Sequence, residues 1–187
     1  MGRRGAAHLR AGTLDAWQMT TWYGIDVSDV ARTLVDLARR DRRDAIMAAD
    51  AALHERVVDS EEIRWAIGLA YRWPGVCQAR EVLALVDERA ESPLESLVRL
   101  AIHYWKLPAP ELQLWIGNDR VDFYWPRFRF ILEADGRLKY TADERWEEKK
   151  REQRLRMRGR NRVERVTWSD VTADRAQTRR MLESALR

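Results

Sequence analysis

The spacing of apolar residues divides the chain into two halves with different periodicity. In the first half, apolar residues recur every three or four positions, which predicts a helix beginning at Ser28 or Asp29 and three more over 44–56, 59–71 and 74–89. Residues 1–27 show little periodicity and are expected to form a poorly anchored lead-in. The first half is therefore predicted to be a helical subdomain over 1–91, and it contains no evident catalytic grouping.

The second half begins with a helix signal and then changes to strand periodicity. Ser92-Pro93-Leu94-Glu95 resembles a capping box with proline in the first turn. Three strand-like runs follow at 111–116, 120–125 and 127–133, then a charged helix over 143–158 closed by Gly159, a strand over 163–168 and a helix over 174–186. The order αβββαβ predicts an α+β layer sandwich for residues 92–187.

Composition narrows the class of protein. A chain of 187 residues with 45% hydrophobic residues and nine Trp can bury a core and is not disordered. No apolar run is long enough for a membrane span and no secretion signal is evident, so we expect a soluble cytoplasmic protein with no membrane partner. A lone cysteine, Cys77, excludes an internal disulfide, and His8, His54 and His103 show no metal-ligand spacing.

The two halves differ in charge. Residues 1–91 carry 13 basic and 15 acidic side chains, a net charge of −2, whereas residues 92–187 carry 21 and 15, a net charge of +6. Arginine supplies most of the basic charge and suits phosphate oxygens, although a GC-rich genome would also favour arginine. The charge favours a polyanionic partner for the second half.

The hairpin around Pro126 brings two acids together. If its turn is centred between Arg127 and Phe128, residues whose numbers sum to 255 face each other, so Asp122 lies opposite Glu133 with Cβ atoms about 4.5–5.5 Å apart. Two such carboxylates repel unless they share a proton or a cation, and Mg²⁺ is the economical solution. The alternative is that Asp122 ends a strand and that residues 133–136 are an ordinary acidic turn.

Strand alternation assigns the neighbours of these acids to faces of the sheet. It places Val121, Phe123 and Trp125 on one face, and Asp122 and Tyr124 on the other. The same alternation puts Phe128, Phe130 and Leu132 with the first group, and Ile131 and Glu133 with the second.

Several motifs in order resemble one nuclease family. They are Ser92-Pro93-x-Glu95-Ser96-x-x-Arg99, Val121-Asp122-Phe123, Glu133-Ala134-Asp135-Gly136, a basic helix ending at Gly159, and Val166-Thr167-Trp168-x-Asp170-Val171. Together they resemble the Vsr-like endonuclease domain of unknown function in the PD-(D/E)XK superfamily, over about 92–174. The resemblance implies a restriction-endonuclease-like core that binds Mg²⁺ or Mn²⁺ and cuts phosphodiester bonds, with no organic cofactor.

The resemblance also implies roles for individual residues. Glu95, Asp122 and Glu133 are the implied metal ligands. Where the superfamily has Glu-x-Lys, this chain has Asp135, and where many Vsr-like relatives have a later histidine it has Lys139. Asp135 and Lys139 are expected to assist the attacking water, the alternative for Lys139 being a solvated loop residue. Glu95 is also explained by capping and by a salt bridge to Arg99 at i+4.

The basic helix is the candidate nucleic-acid surface. Residues 149–165 hold nine basic and two acidic side chains, and a solvated helix face is the alternative to phosphate contact. The candidate contacts are Lys149, Lys150, Arg151, Arg154 and Arg158, with Trp146 and Arg162 as outer contacts.

Three hypotheses follow. The first is a metal-dependent DNA endonuclease or nickase, the second a non-catalytic DNA-binding module that keeps the nuclease fold, and the third a protein-interaction scaffold. Residues 31–39 also resemble the helical region before this domain in actinobacterial proteins related to abortive-infection antitoxins. Longer relatives begin with a winged-helix segment that is not recognised here, so a short form and a fragment both stay open, as does a homodimer.

Overall fold

The computed structural model describes residues 14–136 and 142–187. The first half contains a short 3-10 helix (Ala16–Gln18), a hairpin of β1 (Met19–Trp22) and β2 (Ile25–Ser28), and the helices α1 (Val30–Ala38), α2 (Arg42–His54), α3 (Ser60–Leu69) and α4 (Val76–Leu83). The second half contains α5 (Pro93–Tyr104), β3 (Glu111–Ile116), β4 (Asp119–Trp125), a 3-10 turn (Pro126–Phe128), β5 (Phe130–Ala134), α6 (Ala142–Met157), β6 (Arg162–Val166), α7 (Trp168–Thr172) and α8 (Arg175–Ala185).

The four predicted helices of the first half are present, with shifted ends. Asp29 caps α1 by accepting from the N–H of Arg32 at 2.7 Å. The second helix begins at Arg42 rather than residue 44, because Asp41 is its cap and accepts from the N–H groups of Arg43 and Asp44. The fourth was predicted over 74–89 but begins only after Gly75, whose φ of +83° suits glycine, and ends at Leu83.

The segment that was expected to be a poorly anchored lead-in contains an exposed hairpin within its described part, residues 14–27. β1 and β2 form an antiparallel hairpin in which Trp22 pairs with Ile25. Its two turn residues, Tyr23 and Gly24, both have positive φ, as a tight hairpin turn requires. The β-branched and aromatic residues on either side of Tyr23-Gly24 were the signal for this hairpin.

The second half is a three-layer sandwich, so the predicted α+β class and the order αβββαβ are confirmed. Its sheet has the strand order β3-β4-β5-β6, antiparallel except that β6 runs parallel to β5. On one face, Phe123, Phe130 and Leu132 pack in a core with residues of α5, α7 and α8. On the other face, the fully buried Leu155 of α6 packs against Ile131 and Val163.

Some details of the second half differ from the prediction. The chain between Trp125 and β5 forms the 3-10 turn with Arg129 at a φ of +47°, so β5 begins at Phe130 rather than residue 127. β6 ends at Val166, and the unpredicted α7 follows because Thr167 and Asp170 form a capping box. Val121 was predicted on the face of Phe123, but it packs in the core of Leu155, next to its β3 partner Leu114.

The two halves contact each other through α2 and α5. Arg99 of α5 donates to the buried carboxylate of Asp50 of α2 at 2.6 Å. The expected salt bridge between Arg99 and Glu95 is therefore wrong: Arg99 turns away from the sheet, towards Asp50 and the carbonyl oxygen of Leu85.

None of the helices in the described ranges is both long and apolar enough to cross a membrane.

Candidate active site

The hairpin of β4 and β5 has the predicted register. Phe123 pairs with Leu132 and Tyr124 with Ile131, and Asp122 and Glu133 are the next residues of their strands beyond the Phe123–Leu132 pair. Oδ2 of Asp122 accepts a hydrogen bond from the N–H of Ala134 at 2.8 Å, which holds its side chain against β5. Glu133 is buried, with 8% of its surface exposed. The two acids therefore lie side by side at the end of the hairpin.

Both carboxyl groups of the acid pair have a raised pKa, so each favours its protonated form more than it would in water. Burial and the charge of Asp122 raise the pKa of Glu133 to about 8, although Arg151 opposes the shift. The pKa of Asp122 is also raised by burial, against the hydrogen bond from Ala134. A divalent cation would relieve both effects, because it favours the two ionised carboxylates together.

Glu95 lies near this pair. It is buried in the first turn of α5, where its backbone N–H donates to Oγ of Ser92 at 3.2 Å. Its carboxylate accepts from the N–H of Glu91 at 3.0 Å and from Nε2 of Gln113 at 2.7 Å. Its predicted capping role is thus modified, because the carboxylate accepts from the backbone N–H of Glu91 and not from that of Ser92. Burial raises the pKa of Glu95, and the charge of Asp122 adds to the shift.

Gln113 is a residue of the site that the sequence pattern did not indicate. It lies in β3 beside Asp122 of β4 and contacts the carboxylate of Glu95. A glutamine in a strand has no spacing signal of its own, and only its position between two acids distinguishes it.

Two arginines stand beside the acid pair. Nη2 of Arg151 donates to Oε1 of Glu133 at 2.9 Å, and its Nη1 donates to Glu148 at 3.0 Å. Arg165 of β6 is the parallel neighbour of Glu133 and pairs with Glu148 at 2.7 Å. Positive charge next to the acids is thus supplied by one arginine of α6 and one of β6.

A cavity opens beside these groups. Its volume is about 130 Å³, and its lining includes Glu133, Asp135, Glu148, Arg151 and Arg165. That is room for several water molecules or for a hydrated ion. Asp135 faces Arg165 across 3.8 Å, and Lys139, the other residue expected to assist water, lies outside the described residues.

The acid pair offers oxygen donors of the kind that hard divalent cations bind. Within residues 14–136 and 142–187, no three His, Cys, Asp or Glu side chains are arranged as a metal-binding group. Two carboxylates, Asp122 and Glu133, with the amide of Gln113 nearby, are the hard oxygen donors that Mg²⁺ accepts alongside water and phosphate. The residues present therefore fit a sparsely liganded Mg²⁺ or Mn²⁺ ion.

Several residues of α6 that were predicted to contact DNA point towards the sheet instead of away from it. Arg154 donates twice to the buried Asp119, at 2.6 and 3.0 Å, and Arg158 reaches the carbonyl oxygen of Ile116 at 3.3 Å. With Arg151 on Glu133, these three arginines hold α6 against the hairpins.

The remaining predicted contacts are at the surface. Lys149 is exposed, and Lys150 pairs with Glu147 at 2.9 Å and lies 5.1 Å from the ring of the exposed Trp146. Arg162 pairs with Glu164 on β6. Lys149 and Lys150 are therefore exposed basic side chains of α6 that no contact with the described residues of the sheet holds.

The chain is similar to two proteins of Mycobacterium tuberculosis, one from strain CDC 1551 / Oshkosh and one from strain ATCC 25618 / H37Rv, each named only as an uncharacterized protein. Each is 41% identical to it over 111 residues, a segment that covers 56% of this chain and 41% of the relative. The matched segment is thus less than half the length of these relatives. No protein-family model and no solved structure matches the chain.

Proposed function

We propose that residues 92–187 are a metal-dependent nuclease domain of the PD-(D/E)XK type, and that the protein hydrolyses phosphodiester bonds in DNA as an endonuclease or nickase. The observation that carries the proposal is the acid pair: Asp122 and Glu133 lie side by side on adjacent strands, burial raises the pKa of Asp122, and burial together with the charge of Asp122 raises the pKa of Glu133. Strongly perturbed carboxylates beside a cavity are typical of functional sites.

Each residue of the site has a distinct role in the proposed reaction. Asp122 and Glu133 would hold Mg²⁺ or Mn²⁺, and Glu95 would support the ion from α5. When bound, the ion would polarise the phosphodiester and lower the pKa of a bound water molecule. Asp135 lines the cavity beside Glu133 and is our candidate acceptor for the proton of the attacking water. Arg151 and Arg165 would neutralise charge on the phosphate.

Supercoiled plasmid with Mg²⁺ or Mn²⁺ tests this proposal. We expect nicked or linear product from the wild-type protein, and a loss of at least a hundredfold in Asp122→Asn, which keeps a side-chain acceptor for the N–H of Ala134. Asp26→Asn in the exposed β1–β2 hairpin is the matched control and should cut normally. Equal cutting by Asp122→Asn and wild type, each purified free of other nucleases, would reject the nuclease assignment.

Two observations favour a second function. Glu133 is already paired with Arg151, and Asp135 stands where the superfamily has lysine, so the fold can serve as a non-catalytic DNA-binding module. This alternative predicts binding of a labelled duplex that weakens steeply with salt, and no cleavage with either metal.

A further inference from the structure

The backbone of β3 is irregular at Gln113. Its φ is +52°, a left-handed conformation that is unfavourable for a residue with a side chain. Leu112 pairs with Phe123 and Leu114 pairs with Val121, but the ladder skips Gln113 opposite Asp122. The strand therefore departs from regular pairing at the residue beside the acid pair.

The side chain of Gln113 is held at one end and unsatisfied at the other. Nε2 donates to Oε2 of Glu95 at 2.7 Å, which fixes the plane of the amide. Oε1 is buried and has no hydrogen-bond partner among the described residues. A buried amide oxygen without a partner is costly, so such an atom in a native protein calls for a ligand or a bound water.

We infer that Gln113 belongs to the acid site in two ways: its amide nitrogen positions the carboxylate of Glu95, and its amide oxygen is a further oxygen donor to the divalent ion held by Asp122 and Glu133. This inference rests on the proposed metal-dependent function. Side-chain amide oxygens are ordinary ligands of hard divalent cations. The unusual backbone at Gln113 and its unsatisfied oxygen then have one common explanation.

The competing explanation is structural. Gln113 would link β3 to α5 through Glu95, and a water molecule would satisfy Oε1. The two explanations differ in what happens to metal affinity when the oxygen is kept and the N–H is removed. Gln113→Leu removes both the amide nitrogen and the amide oxygen while keeping a side chain of similar size. Gln113→Glu keeps an oxygen that can bind the metal ion but loses the N–H that donates a hydrogen bond to Glu95.

Titration of the metal-free, full-length protein with Mn²⁺ by calorimetry, without DNA, separates these explanations. We expect Asp122→Asn to abolish binding, Gln113→Leu to weaken it at least tenfold, and Gln113→Glu to remain within about threefold of wild type or to bind more tightly. Gln78→Leu is the matched control, because Gln78 makes a structural bond to the carbonyl oxygen of Ala38 far from the site. It should bind Mn²⁺ as the wild type does.

The Mn²⁺-induced rise in melting temperature gives a second readout. Gln113→Leu should lose most of the rise, and Gln113→Glu should melt earlier in chelator yet regain stability with Mn²⁺. If Gln113→Leu does not fold, comparing the Mn²⁺ affinity of Gln113→Glu with that of the wild type decides between the two explanations.

Three results would overturn the inference. The inference is rejected, and the proposed function still stands, if Gln113→Leu binds Mn²⁺ within threefold of the wild-type affinity while Asp122→Asn does not bind it. Tenfold weaker binding by Gln113→Glu would reject the oxygen-donor role and restrict Gln113 to positioning Glu95. A wild-type protein that neither binds Mn²⁺ nor cuts DNA would reject the proposed function, and this inference with it.

Discussion

Nη2 of Arg151 lies 2.9 Å from Oε1 of Glu133, so the helix predicted to contact DNA is joined directly to the acid pair. Both side chains are mostly buried, and the arginine also pairs with Glu148. This contact stabilises the ionised form of Glu133, whereas burial and Asp122 oppose that form. The balance between these effects makes the metal-free protein sensitive to pH.

The stability of the metal-free protein should fall as pH rises from about 5 to 8. The folded protein holds a proton on Glu133 up to a pKa of about 8, whereas the unfolded chain releases it near 4.5. Folding is therefore favoured below pH 4.5, and this contribution is lost as pH rises through 8. The slope from Glu133 alone approaches about 1.4 kcal/mol per pH unit.

Urea unfolding in chelator between pH 5 and 9 measures this effect. Glu133→Gln should flatten the profile over this range, and Glu164→Gln, at a partly exposed carboxylate paired with Arg162, should leave it unchanged. A wild-type profile that rises across the same interval would contradict the raised pKa of Glu133. Because binding of a cation displaces the proton, Mn²⁺ affinity should in turn increase with pH.

Arg151→Gln should destabilise the metal-free protein mainly at high pH. The arginine stabilises Glu133 only where that carboxylate is ionised, so we expect a loss of about 1–3 kcal/mol near pH 9 and a smaller loss at pH 5. Unfolding free energies at the two pH values give the difference directly. Arg156→Gln, which removes a surface pair with Glu152 on the same helix, is the control. An equal loss at both pH values would show that Arg151 does not act through Glu133.

The acid pair was predictable from sequence, whereas its surroundings were not. Asp122 and Glu133 belong to one hairpin, and the position of Pro126 sets the register, so a local pattern is sufficient. The contacts of Arg151 with Glu133, and of Gln113 with Glu95, join elements that are 18 residues apart and depend on how helices pack on the sheet. Periodicity carries no information about such contacts.

The same limit applies to the basic face of α6, whose contacts within the protein the sequence pattern did not indicate. Arg151, Arg154 and Arg158 recur at helical spacing, which is equally typical of a phosphate-binding stripe and of a stripe that pairs with acids of the sheet. Asp119 and Glu133 could be recognised as partners only once the strands were assembled.

DNA binding, if present, should depend on the lysines of α6 more directly than on Arg154. Lys149 and Lys150 are at the surface, so replacing both with Gln should reduce the slope of log affinity against log salt by about 2. Fluorescence anisotropy of a labelled duplex at several NaCl concentrations measures this slope. If the double variant has the wild-type slope, the two lysines do not contact DNA.

Arg154→Gln should act through stability instead. It leaves the buried carboxylate of Asp119 without its partner, whose charge lowers the pKa of Asp119. We expect a lower melting temperature, restored in part by adding Asp119→Asn. If Arg154→Gln keeps the wild-type melting temperature and loses salt-dependent DNA binding, Arg154 is a phosphate contact as first predicted.

Asp50 and Arg99 should be the most costly ion pair to break singly, because Asp50 is only 1% exposed and joins the helical half to α5. Asp50 also accepts from the N–H of Asp87 at 2.8 Å, so its carboxylate cannot turn to solvent when Arg99 is lost. Arg99→Met should therefore cost about 3–5 kcal/mol in unfolding free energy, whereas Arg64→Met at the exposed pair with Glu61 should cost about 0–1 kcal/mol. Adding Asp50→Asn to Arg99→Met should recover part of the loss, since it removes the buried unpaired charge. A loss below 1 kcal/mol in Arg99→Met would mean that the two halves are held together by their apolar contacts and not by this pair.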